Sequence, residues 1–160
     1  MKVGLRHVVW GSGALALGLF VWIAIQLWSV HPTILCMQLS FTRHAFDSVT
    51  QAWSPGQRLL VLGHFRQDLA LLVAYGIFGA TLALRTRYAA QAPGWVAPVM
   101  PWLLPAAALL DAIEDTVQFL ALSQPEVLRP DGWYALGGSA AALKFGLLLT
   151  FSAHHWRYRT

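Results

Sequence analysis

The chain has 160 residues, of which 57% are hydrophobic and only 11% charged, against about 25% charged in an ordinary soluble domain. A soluble globular domain is therefore excluded, and the formal net charge of +4 is accounted for by basic residues at the ends of apolar segments, so no nucleic-acid partner follows from it. A single cysteine, Cys36, excludes an internal disulfide and any CxxC redox or zinc motif.

The first apolar stretch, residues 8–30, carries no charge over 23 residues. Lys2 and Arg6 precede it as the basic region of a secretory signal would. The run is too long for the 7–15-residue core of a signal, however, and no small-x-small cleavage site follows. "TILC" at residues 33–36 falls short of a lipobox because Leu35 is too bulky. A retained membrane helix is expected.

Residues 31–58 form the one sizeable loop, "HPTILCMQLSFTRHAFDSVTQAWSPGQR". Ser40 or Thr42 caps a short helix whose Phe41, Ala45, Phe46, Val49 and Trp53 recur at roughly helical spacing. "SPG" at residues 54–56 ends it. The simpler reading is an amphipathic helix lying on the outer membrane surface; a lid over the mouth of the bundle is the alternative.

Three further apolar stretches follow, at 59–84, 95–122 and 133–153, each near the ~20 residues needed to cross a bilayer. The 95–122 stretch follows Pro93 and carries prolines at 98, 101 and 105 near its start. Pro101 and Pro105 leave carbonyls without donors and predict a kink. Lys2, Arg6, Arg85, Arg87, Arg157 and Arg159 fall on one side, with Arg43, Arg58 and Arg129 on the other. The positive-inside rule then places both termini in the cytoplasm. Trp28, Trp53 and Trp133 outside, and Trp10, Trp95 and Trp156 inside, are expected in interfacial belts. The expected fold is all-α: a single four-helix membrane bundle spanning residues 1–160, in a bacterial inner membrane. Ala14 with Gly18, Gly76 with Ala80, and Gly137 with Ala141 have the small-xxx-small spacing of close helix contacts.

The third span contains "LLDAIEDTVQFLAL", which holds three of the chain's seven acidic residues within five positions. An ionised Asp at the centre of a spanning helix costs about 2.5–3.5 kcal/mol even on the lenient insertion scale. Asp111, Glu114, Asp115 and Gln118 share one face by i, i+3, i+4 and i+7, and His64, Asp68 and Tyr75 share one side of the second span. At 1.5 Å per residue, Asp111 stands about 24 Å above Trp95 and Asp68 about 26 Å above Arg85, with Lys144 and Tyr75 about 15 Å up. The lysine stem lifts its ammonium toward the acids. Lys144 is thus expected to neutralise Asp111, with His64, Arg66, Tyr75 and Gln118 bonding the other acids. One carboxyl keeps its proton, because close like charges in low dielectric do not all ionise.

These residues compose the candidate ligand site: His64, Asp68, Tyr75, Asp111, Glu114, Asp115 and Lys144. Asp68, Asp111 and Glu114 are the candidates for acid–base catalysis. Against each stands a structural reading: a register-fixing ion pair for Lys144 and Asp111, headgroup contact for Glu114 and Asp115, a satisfied polar group for His64, and a packed hydroxyl for Tyr75. His154 and His155 read as interfacial. No metal or cofactor is expected. Helix-bundle di-metal sites use Glu-x-x-His pairs, and the sequence offers only His64-x-x-x-Asp68. It also lacks a nucleotide-binding glycine loop, a nucleophile elbow and paired histidines for haem.

Phe41, Phe46 and Trp53, then Asp68 and Tyr75, then Asp111 and Glu114, and finally Lys144 resemble the pattern of a group of small bacterial four-span membrane proteins with no assigned reaction. That group has Asn where this chain has Asp115, and the likeness runs from residue 33 to about 150. A looser likeness in layout is to the EXPERA family of sterol isomerases and sigma-type receptors, in which Asp68 would correspond to an early acid of the second span. The other polar positions of that family do not align, and no catalytic role is carried over.

Four functions are open to such a chain. It binds a lipid-like or other hydrophobic small molecule with its head at the polar cluster; it is an acid–base enzyme acting on a lipid or isoprenoid; it is an accessory subunit, with Trp22 or Trp102 facing a complex partner or a second copy; or it is a proton or ion pathway. A sealed, fully paired cluster favours the subunit, and a cavity toward the outer leaflet favours the ligand.

Overall fold

The computed structural model describes residues 3–85, 94 and 97–157, with side chains for 7–82, 94 and 97–154. Among the described residues the chain is entirely helical: α1 (Val3–Leu27), α2 (Ile34–Gln38), α3 (Arg43–Gln51), α4 (Pro55–Arg85), α5 (Leu103–Ser123) and α6 (Asp131–Arg157), with a 3-10 turn over Met100–Trp102 before α5. The anchors Lys2, Arg6, Arg85, Arg87, Arg157 and Arg159, with Trp95, Trp156, His155 and Pro93, lie outside the described side chains.

Two helices, over residues His7–Leu27 and Asp131–His154, are long and apolar enough to cross a membrane. The other two long helices are interrupted by charge: α4 by Arg58, Arg66 and Asp68, α5 by Asp111, Glu114 and Asp115. The same acids that make α5 unusual in hydropathy are the ones it buries.

The long helices pack in the order α1, α4, α5, α6, each mainly against its neighbour. Helix α1 turns Val9, Ala16 and Ile23 inward at seven-residue spacing and leaves Leu15, Leu17, Phe20, Trp22 and Ile25 exposed. Close approach is built on glycine. A Cβ on Gly79 would lie 2.3 Å from that of Leu104, one on Gly13 2.9 Å from Phe78, and one on Gly137 2.8 Å from Val117. Of the small-residue pairs singled out by spacing, a Cβ on Gly18 would meet nothing within 4 Å, whereas one on Gly76 would lie 3.4 Å from that of Ala108.

Helix α4 begins with a capping box that the sequence reading took only as the end of the preceding helix. Ser54 Oγ accepts from Gln57 N at 3.3 Å, Gln57 Oε1 accepts from Ser54 N at 2.9 Å, and Pro55 takes the first helical position. The expected kink in α5 is replaced by a late start. Pro101 sits in the 3-10 turn, and Pro105 falls in the first turn of α5, where its missing N–H has no helical acceptor to lose.

The outer loop folds as two helices rather than one. Thr42 caps α3 by accepting from Ala45 N at 3.2 Å, and Phe46 is buried against Tyr134 with ring centroids 5.3 Å apart. Arg43 N donates to Asp131 Oδ1 at 2.8 Å, tying α3 to the start of α6. The segment packs onto the end of the bundle, as a lid does. Trp53 follows it inward: it is 6% exposed, and its Nε1 donates to Pro32 O at 2.7 Å. Trp133 likewise donates inward, to Val117 O at 3.2 Å. Trp53 is buried and Trp133 half-buried, whereas Trp28 and Trp10 are exposed.

Two apolar layers result. One, under the lid, joins Val30, Met37, Phe46, Trp53, Val61, Phe65, Leu122 and Tyr134; the other, at the opposite end, joins Met100, Leu103, Leu104 and Phe151 with Phe78, Leu82 and Leu147. Between them lies a polar layer.

Candidate functional site

Three helices supply the polar layer. Asp68 on α4 and Lys144 on α6 each lie 13 residues from the start of their helix, and Asp111 lies 12 from the end of α5, or about 18–20 Å in every case. Measured from these ends, Lys144 stands level with the acids, so the long lift expected of its stem is not needed.

Lys144 Nζ donates to Asp111 Oδ1 at 2.6 Å and forms a second ion pair with Glu114 Oε2, also at 2.6 Å. Tyr75 Oη donates to the other oxygen of Asp111 at 2.9 Å. Gln118 Nε2 donates to Glu114 Oε1 at 3.3 Å. All of the acids are buried, Glu114 completely. The headgroup contact considered for Glu114 and Asp115 is therefore excluded, since both face inward. His64 Nδ1 donates to the Val61 carbonyl of its own helix, so that side chain is a satisfied buried group. Arg66, counted among the partners of the acids, is exposed and bonds none of them; two residues from Asp68, it falls on the opposite side of α4.

The neutralisation is incomplete. Four carboxyls (Asp68, Asp111, Glu114 and Asp115) share one ammonium, and that ammonium serves Asp111 and Glu114 alone. Asp68 and Asp115 have no ion pair to it and lie with carboxylate oxygens within 4.8 Å of each other. Asp115 Oδ1 and Gln118 Oε1 are buried with no hydrogen-bond partner. Carboxylate oxygens of Asp68, Asp111 and Asp115 converge to within 4.8 Å of one another. This all-carboxylate grouping carries no histidine motif; its signal in the sequence is the i, i+4 spacing of Asp111 and Asp115, with one acid, Asp68, on α4.

Beside Gln118 runs a narrow seam too tight to admit a water molecule. Met37, Ser40 and Phe46 of the lid segment form one wall, and Val117, Tyr134, Gly137 and Gly138 the rest. The segment carrying Met37, Ser40 and Phe46 therefore covers the Gln118 end of the polar stripe. No family model, no curated protein and no solved structure matches the chain. The reading of its function rests on this geometry.

Proposed function

We propose that the chain is a multi-pass protein of the bacterial inner membrane, with α1, α4, α5 and α6 spanning and both termini cytoplasmic, and that its polar layer binds the head of a lipid-like or other hydrophobic small molecule. Membership of the small bacterial four-span group belongs to the same proposal. One observation carries the binding role: Asp115 Oδ1 and Gln118 Oε1 are buried, polar and without partners. A layer kept only to hold helices together has its buried polar atoms paired, since each unpaired one costs about 1–3 kcal/mol. Here the stability that pairing supplies is forgone at the end of the stripe nearest the lid seam. The conformation is closed, and a ligand enters when the segment carrying Met37 and Phe46 moves off Gly138 and Tyr134.

A second reading, acid–base catalysis on the bound molecule, is favoured by Asp111, whose two oxygens accept from Lys144 and Tyr75. That arrangement couples three proton-bearing groups in one chain. It acts on the same site and requires the same occupant.

Native mass spectrometry of the full-length protein, released gently from micelles, tests the binding role. Wild type should carry a reproducible small-molecule adduct that Asp115→Asn loses. A bare wild type, or an adduct indifferent to Asp115→Asn, rejects it.

A further inference from the structure

Carboxylate oxygens of Asp68 and Asp115 lie within 4.8 Å of each other, and two ionised carboxylates that close in a buried layer require something positive between them. A shared proton would satisfy that pair. It leaves two further facts unaddressed: a third carboxylate, that of Asp111, converges on the same point within 4.8 Å, and Asp115 Oδ1 has no partner although the residue is only 8% exposed. Gln118, 3% exposed and one turn above Asp115, adds an unpartnered carbonyl oxygen that is not part of the acid cluster.

We propose that Asp68, Asp111 and Asp115 form a binding site for one hard divalent cation. The donors are all oxygen, which selects the Mg²⁺, Mn²⁺ and Ca²⁺ class over the softer metals that prefer imidazole and thiolate. Such ions bind oxygen at about 2.0–2.6 Å, so one ion reaches three oxygens that lie within 4.8 Å of each other. The charges agree: four carboxyls and one ammonium leave a surplus of three negative charges when all are ionised, and a divalent ion removes most of it. The ligands come from two helices, Asp68 from α4 and the two aspartates from successive turns of α5, so the ion ties α4 to α5 as Lys144 ties α5 to α6. This site shares Asp115 with the binding role proposed above and is tested apart from it, by the ion alone on delipidated protein.

The probe is Mn²⁺, titrated into delipidated, chelator-stripped full-length protein in micelles and followed by the loss of the free-ion electron paramagnetic resonance signal. Wild type should take up one Mn²⁺ per chain saturably, with Mg²⁺ or Ca²⁺ competing. Asp115→Asn and Asp68→Asn should each weaken uptake by at least about tenfold, the scale seen even for supporting groups around metal sites. Wild type that leaves the Mn²⁺ signal unchanged overturns the proposal and assigns the carboxyl pair to a shared proton. Uptake unaltered in both folded variants overturns it equally, by placing the ion elsewhere. The wild-type titration decides the question even if a variant fails to fold.

Discussion

Replacing Lys144 by Met is the sharpest perturbation of the polar layer, since it removes the only ammonium and keeps the stem volume. Its Nζ sits 2.6 Å from both Asp111 Oδ1 and Glu114 Oε2. At an effective dielectric of about 20, each contact is worth about 6 kcal/mol of raw attraction. Against that stand the several kcal/mol that each ion loses on leaving water, which leaves about 3–5 kcal/mol as the cost of breaking the group. Denaturant or thermal unfolding in micelles should show Lys144→Met destabilised by that amount. Adding Asp111→Asn and Glu114→Gln to the same chain should restore most of the loss, because the stranded charges then disappear. A Lys144→Met protein as stable as wild type would refute the idea that these ion pairs hold α5 to α6.

Two other perturbations address packing and topology. Gly79→Ala places a methyl 2.3 Å from Leu104 Cβ and should cost about 1–3 kcal/mol. Gly18→Ala, with nothing within 4 Å, should be neutral or gain up to about 1 kcal/mol from helix propensity; equal effects at the two sites would refute the Gly79–Leu104 approach seen between α4 and the start of α5. Cys36 is the sole cysteine and is exposed, so a membrane-impermeant maleimide should label it on intact spheroplasts. Labelling that begins only after lysis would reverse the orientation.

The polar stripe of α5 was legible because four polar residues at i, i+3, i+4 and i+7 in an apolar run have only one sensible place to face. The pairing of Lys144 with Asp111 followed from the same need, as the fourth span has no other charge at depth. What the sequence did not reveal is direction at the outer end. Trp53 reads as a belt residue in sequence, and only the tertiary position of the Pro32 carbonyl buries it. Helix α2 is five residues long, below the length at which periodicity can be read. Arg66 was credited with bonding the acids from its nearness to Asp68 in sequence, but a two-residue offset on a helix points the opposite way. The Ser54-x-x-Gln57 capping box was readable and marked the start of α4 as well as the end of the lid.

The central claim is that the end of the polar layer nearest the lid is kept for what it binds and not for what it holds together. Thermal unfolding of wild type and Asp115→Asn, each stripped of lipid and then supplied with inner-membrane lipid extract, tests both halves at once. Since Asp115 Oδ1 has no partner and faces a surplus of acid, the account predicts a stripped variant at least as stable as wild type that gains less from added lipid. A stripped variant destabilised by about 2 kcal/mol or more, the cost of leaving a buried polar partner unsatisfied, with an undiminished response to lipid, would contradict it and make Asp115 a structural residue.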